Sequence, residues 1–327
     1  MNSIFDNEEI KTLLFRGKSF LIAAHIRPDG DAIGSALGLG LALRNIGKEV
    51  TIYLADGVPA NFQNLPGSQT VINKLNPNSV FDLIISLDSS DQERLGDAFS
   101  SMHIDLQIDH HVTNINYAKI NIIDPTAVAT CAILAEYLPK WDLQISEEIA
   151  TLLMTGILTD SIGFRTSNTT SKSLRLAADL MDSGANLPEI YHETLVGRTY
   201  QQVNYWGFGL QRLQKKGNIA WTSLTLADRK LADYNGNDDA DLNTLLSSIS
   251  ECDVTILFVQ QKNNHVKVSW RSKPGLDVSQ IAFKFNGGGH ISAAGADING
   301  ELSNIQNLVL NETFSSLLQE QEIKLEQ

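Results

Sequence analysis

Three times before residue 112, an apolar run of the kind that forms a buried strand stops at an aspartate or a histidine. SFLIAAH (19–25) leads into His25, then Asp29 and Asp31. DLIISLD (82–88) ends at Asp88, and IDLQID (104–109) runs into Asp109, His110 and His111. EVTIYLA (49–55) reads as a further strand. DAIGSALGLGLALRNIG (31–47), AVATCAILAEYL (127–138), EEIATLLMTGILTDSIG (147–163) and TTSKSLRLAADLMDSG (169–184) carry helical periodicity. Short apolar strands alternating with helices predict an α/β fold, a mostly parallel sheet with helices on both faces. In such sheets ligands bind beyond the carboxyl ends of the strands, so three strands deliver acids and imidazoles to one edge. Asp160, at the end of a helical run, stands where it could complete the set.

The pattern changes in the second half. Residues 187–214 are polar-aromatic and predict a helical connector between domains. Beyond it, IAWTSLTL, CDVTILFVQQ and VKVSWRS read as strands, with helices near 238–249 and 276–285 and a glutamate-rich C-terminal helix. The expected organisation is a first domain over 1–186, a connector over 187–214 and a smaller α/β domain with a mixed sheet over 215–327. At 327 residues the chain is long enough for two domains, and with 43% hydrophobic residues it can bury both cores. Its net charge of −13, without a lysine- or arginine-rich tract, argues against tracking long nucleic acid. No run approaches the roughly 20 apolar residues of a membrane span. The acidic opening MNSIFDNEEIKTLLF does not resemble a secretory signal. Cys131 and Cys252 sit in separate apolar runs and read as buried core thiols. A cytoplasmic protein without a membrane partner is expected.

Grouped carboxylates repel unless a cation neutralises them. Asp and His without a thiolate suit manganese or a similar divalent ion, with magnesium or cobalt as alternatives. Six such ligands are too many for one site that keeps a water. They suit two ions about 3.5–4 Å apart, an arrangement that activates water and steadies attacking and leaving oxygens in phosphoester hydrolysis. Each residue also has an ordinary explanation. Asp31 could cap the following helix and Asp88 could open a turn. What those explanations leave unaddressed is the meeting of all of them at one edge of one sheet.

HIRPDGDAIGS, LDSSD, DHH (109–111) and TGILTD resemble, in order, the four motifs of the DHH phosphoesterase superfamily. FNGGGHISAAGA resembles the glycine-rich signature of the DHH-associated C-terminal domain. Within the superfamily the chain is most similar to the bifunctional nanoRNase and pAp phosphatase type. The resemblance covers nearly the whole chain. It implies one metal held by His25, Asp29 and Asp88 and a second by Asp31, Asp88, His110 and Asp160, with Asp88 bridging. It implies further that Asp109 orients a ligand histidine, that His111 stands near the scissile phosphate, and that the active site lies in a cleft between the domains. Gly287, Gly288, Gly289 and His290 would approach a substrate phosphate. Alternatively the glycines form a turn into a helix, although His290 and the following AAG favour a ligand. Arg271 either clamps a phosphate or is a solvated strand-end arginine, and Lys273, Arg165 and Arg198 are weaker candidates.

The implied reaction is metal-dependent hydrolysis of RNA of two to five nucleotides, pApA included, to mononucleotides, and of 3′-phosphoadenosine 5′-phosphate (pAp) to AMP. The implied partners are short oligonucleotides and small nucleotides, with a homodimer as one expected assembly. Two other readings stand beside it. An inorganic pyrophosphatase of the same superfamily would share the first-half motifs but normally carries another C-terminal domain. A non-catalytic nucleotide sensor would not need the full acidic set.

Overall fold

The structure, a computed structural model, describes residues 6–76 and 78–325; the side chains of His290 and of residues 318–325 lie outside the description. The chain divides into two compact units, one ending at Gly197 and one beginning at Arg198. The boundary falls inside the segment expected to be a connector.

The first unit contains α1 (Asn7–Arg16), β1 (Ser19–Ala23), α2 (Gly30–Asn45), β2 (Glu49–Tyr53), β3 (Val71–Ile72), β4 (Leu83–Leu87), β5 (Leu106–Asp109) and β6 (Ile120–Ile123). It continues with α3 (Thr130–Tyr137), α4 (Glu147–Asp160), α5 (Ser171–Asp182) and α6 (Leu187–Tyr191). Six parallel strands lie in the order β3-β2-β1-β4-β5-β6. β1 sits inside the sheet, which is why Phe20, Leu21, Ile22 and Ala23 are all fully buried. Phe20 and Ile22 join the core built with α1, α2, α3 and α4. Leu21 and Ala23 point the other way, onto Tyr53, Leu95, Phe99 and Ile104. On that face the helical cover is two single 3₁₀ turns, Glu93–Leu95 and Asp97–Phe99, separated by Gly96 at φ +94°.

α2 is buried on nearly every side, and its glycines decide how closely it packs. A Cβ on Gly34 would lie 2.4 Å from the Leu152 carbonyl oxygen, so only glycine lets α2 and α4 approach this closely.

The second unit contains α7 (Tyr200–Gln211), β7 (Gln214–Lys216), β8 (Ile219–Leu224), α8 (Leu226–Leu231), α9 (Leu242–Leu246), β9 (Val254–Gln261) and β10 (His265–Ser272). It ends with α10 (Val278–Phe283), β11 (Gly288–His290), β12 (Ala293–Asn299) and α11 (Leu302–Leu325). Its sheet runs β11-β12-β10-β9-β8-β7, antiparallel except for the β8–β9 pair, and so is mixed. Trp270, Phe258 and Ile256 fill the core beneath α10 and α11, and Leu257 and Val259 face Tyr205 and Leu242 on the other side. The segment after Asn286 forms the β11–β12 hairpin, not a turn into a helix. Among the described residues no helix is long and apolar enough to cross a membrane.

Two glycine substitutions test this packing in opposite directions. Gly34→Ala forces α2 from α4 and should cost about 1–3 kcal/mol, as overpacking does. Gly207→Ala, inside α7 with nothing within 4 Å of the added methyl, should stabilise by about 0.4–1 kcal/mol. Thermal melting of the two variants checks both signs, and equal shifts would contradict the packing described.

Candidate metal centre

The chain leaves β1 through Ala24 into His25, whose ring Nδ1 meets the Ile26 carbonyl at 2.8 Å. That contact leaves Nε2 free, 3.7 Å from Asp29 Oδ1 and 3.5 Å from Asp88 Oδ2. Asp29, not Asp31, caps α2: its Oδ1 accepts the N–H groups of Asp31 and Ala32 at 3.0 and 3.1 Å. The cap and the candidate ligand are thus the same carboxylate. Asp31 lies one step into the helix and is 1% exposed.

Asp88 follows β4 in the left-handed region, at φ +53°, unusual for a non-glycine residue and a common sign of a functional constraint. Asp109 ends β5, and His110 and His111 follow it. His110 repeats the arrangement of His25. Its Nδ1 faces the Ala127 carbonyl at 3.3 Å, and its Nε2 lies 3.7 Å from Asp88 Oδ1, 3.9 Å from Asp31 Oδ2 and 3.5 Å from Asp160 Oδ2. Asp160 is the last residue of α4.

Among the described residues, three groups could each hold a metal ion: His25 with Asp29 and Asp88, Asp31 with His110 and Asp160, and Asp88 with His110 and His111. Asp88 turns Oδ2 toward the first group and Oδ1 toward the second. Asp109 is fully buried and holds His111: its Oδ1 lies 2.7 Å from His111 Nδ1, and its Oδ2 accepts the Asn114 side-chain amide at 2.5 Å. The histidine it orients is His111, a member of the third of these groups.

The electrostatics show what the donor set lacks. Burial and then the charges of Asp88 and Asp160 push Asp31 well above the usual carboxylate range. Burial, against the pull of His110 and with the push of Asp88, lifts Asp160 to about 6. Burial opposes a charge on His25, yet its hydrogen bonds to Asp29 and Asp88 outweigh it and raise that group to about 10. Acids shifted upward by burial and by one another's charge, beside a histidine shifted upward by carboxylates, are the mark of crowded anionic groups that a cation would relieve. Oxygen and imidazole donors, each imidazole already turned by a backbone carbonyl, fit a divalent ion.

Three contributors were not legible in the sequence. Thr130 and Cys131, the first residues of α3, donate their N–H groups to Asp31 at 2.6 and 2.8 Å, and the Thr130 hydroxyl donates to Asp88 Oδ1 at 3.0 Å. Gly156 leaves room for them: a Cβ there would sit 2.7 Å from Asp31 Oδ1 and 2.2 Å from Cys131 Sγ. Nothing in AVATC or MTGIL marks these roles, because they depend on two helices meeting.

In the second unit, β11, β12 and β10 bring His290, Ala293 and Arg271 into one row across the sheet. Arg271 donates to its neighbour's carbonyl, Trp270 O, at 3.0 Å. The three glycines are not equivalent. A Cβ on Gly287 would lie 2.2 Å from Gly295 O; Gly289 has φ +143° and would clash with Ala293 O at 2.5 Å; Gly288 faces open space. Lys273 Nζ is taken up by Ser250 O at 2.5 Å and Asp253 at 3.4 Å, and Arg198 by Asp241. Arg165 is exposed beyond α4.

A parallel sheet whose strand ends, joined by Asp160 at the end of α4, collect Asp and His into metal-sized groups defines an α/β protein with a candidate metal centre. Residues 19–157 match the DHH family, N-terminal domain, and residues 229–320 the DHHA1 domain. The bifunctional oligoribonuclease and PAP phosphatase NrnA of Thermus thermophilus is 33% identical over 282 residues, 85% of this chain and 84% of that protein. The protein of the same name from Mycoplasma genitalium is 30% identical over 291 residues, 85% and 88% of the two chains. This chain belongs to the DHH family. An exopolyphosphatase-related protein from Bacteroides fragilis shares the fold over 99% of both chains, with a TM-score of 0.85 at 22% identity.

These ionisations predict a pH-dependent metal affinity. His25, raised from 6.5 to about 10, holds its proton throughout the neutral range, so that proton competes with a metal at pH 7 and competes less as pH rises. The competing proton on Asp160 is present below about 6 and lost above it. Uptake of a divalent ion should therefore release protons at neutral pH and tighten with rising pH. Calorimetric titration in buffers of different ionisation enthalpy measures the release; an affinity flat with pH would contradict the assignment.

Proposed function

We propose that this protein, a phosphoesterase of the DHH family, cleaves oligonucleotides of two to five nucleotides, pApA included, to mononucleotides, and pAp to AMP. The observation that carries the reading is Asp88, buried and facing His25 with one oxygen and His110 with the other. His25, Asp29 and Asp88 would hold one divalent ion, and Asp31, Asp88, His110 and Asp160 a second, with manganese preferred on ligand chemistry and magnesium or cobalt able to substitute. Two such ions, when bound, lower the pKa of a water and neutralise charge on the attacking and leaving oxygens.

The remaining work falls to the chain. His111 keeps Nδ1 against Asp109, whose hydrogen bond raises the imidazole's pKa against the effect of burial. In its protonated form the ring presents Nε2–H as a donor to a phosphate oxygen or to the leaving group. Asn114 and His111 hold Asp109 ionised, below its ordinary range, although burial alone would raise it. We assign nucleotide binding in the second unit to Arg271 and the row Gly287, Gly288, Gly289 and His290. Gly288, which packing does not require, is the place for a close backbone approach to phosphate. The net charge of −13 without a basic tract supports small substrates over long strands. The two relatives named above as oligoribonucleases and PAP phosphatases support the substrate class.

The test compares pApA, a 5′-phosphorylated RNA dinucleotide, pAp, pyrophosphate and a long single-stranded RNA, with manganese and then with EDTA. Turnover of the dinucleotides and pAp, abolished by EDTA, is expected; faster pyrophosphate hydrolysis or a preference for long RNA would overturn the substrate assignment. Asp88→Ala should abolish turnover of every substrate. Gly288→Ala should raise KM for nucleotides about tenfold while leaving metal content unchanged, a loss of about 1.4 kcal/mol of binding.

A further inference from the structure

We infer that Thr130 is the positioning residue that sets how Asp88 is shared between two ions; this rests on reading the Asp and His cluster as a dinuclear centre. Thr130 is fully buried at the first position of α3. Its hydroxyl crosses 42 positions of sequence to donate to Asp88 Oδ1 at 3.0 Å. Its N–H donates to Asp31 Oδ2 at 2.6 Å, and the N–H of Cys131 to Asp31 Oδ1 at 2.8 Å. One residue therefore touches two of the three carboxylates around His110, namely Asp31 and Asp88.

The two contacts differ in kind. The backbone N–H groups hold Asp31 whatever side chain stands at 130. The hydroxyl acts on Asp88 alone, and a valine of the same shape could fill its place without it. A carboxylate oxygen has two lone pairs. The Thr130 hydroxyl occupies one on Oδ1 and so leaves the other for the side where His110 Nε2 and His111 Nδ1 lie, each 3.7 Å away. It also resists rotation of the carboxylate about its last bond, keeping Oδ2 on the His25 side, 3.5 Å from that Nε2. Asp88 itself sits in a left-handed backbone conformation, which the surrounding contacts must hold, and the Thr130 hydroxyl is one of them.

Removing the hydroxyl should loosen the bridge from the Oδ1 side. Thr130→Val is expected to bind the second manganese ion roughly 10–100-fold more weakly, the usual cost of losing a partner that orients a ligand, and the first ion nearly as before. Thr130→Ser, which keeps the hydroxyl, should restore the second ion. Thr155→Val serves as the control, because that threonine is equally buried but its hydroxyl donates only to Thr151 O within α4.

Calorimetric titration of the full chain with manganese gives both affinities, and the exchange-coupled spin-resonance signal of a manganese pair reports the bridge directly. Weakening in Thr130→Val, recovery in Thr130→Ser and no change in Thr155→Val would support the inference. Unchanged second-ion affinity in Thr130→Val, with two ions still bound by the unsubstituted protein, would overturn the role of Thr130 and leave the dinuclear reading intact. An unsubstituted protein that binds fewer than two ions would overturn the dinuclear reading and this inference with it. Should Thr130→Val fail to fold, Thr130→Ala also lacks the hydroxyl, carries the same expectation and decides the matter.

Discussion

Asp88 is the carboxylate on which the rest of the first unit converges. It directly follows an internal strand, 1% exposed, with His25 facing one of its oxygens and His110 and His111 the other. An ionised carboxylate in such a place is costly unless it is paired and hydrogen-bonded. The surroundings answer that cost with the Thr130 hydroxyl and imidazoles on either side. The same surroundings also bring in Asp31 and Asp160, which add like charge. A fold selected only for stability would not assemble such a set.

The helices reach this arrangement through small residues. Gly34 lets α2 lie against α4, and Gly156 makes space where α3, α4 and Asp31 come together. The N-terminal amides of α3 then point at Asp31, where the helix dipole favours negative charge. Packing and electrostatics share the same atoms, so a methyl group at Gly156 would disturb both. On the far face of the sheet, Phe99 and Leu95 seal the strands with short turns, leaving the strand ends as the place where charged side chains gather.

The second unit solves a different problem. Its hairpin of small residues lies along the edge of a mixed sheet, where Gly287 and Gly289 are needed for the backbone itself and Gly288 is not. Three consecutive glycines thus divide into two that serve the fold and one that packing leaves free. Sequence alone could not separate them, since each letter is the same.

Much of the centre was legible in the order of residues. Strand-ending Asp and His at 25, 88 and 109–111 follow from apolar runs that stop abruptly, and the parallel sheet follows from their alternation with helices; both need only local pattern. The hairpin at 288–299 was not legible, because alanine and glycine carry no apolar alternation. Nor was the choice of Asp29 over Asp31 as the cap, which depends on which carboxylate turns toward the helix N-terminus. The sequence by itself determined which chemical groups are present and that strands would carry them to a common edge. Only the tertiary structure decided that Asp109 serves His111, that Thr130 reaches Asp88 and that Gly156 must lack a side chain. The last two are contacts between segments tens of residues apart, and the first, though only two positions long, depends on how the turn after β5 is held; no spacing along the chain encodes such a distance.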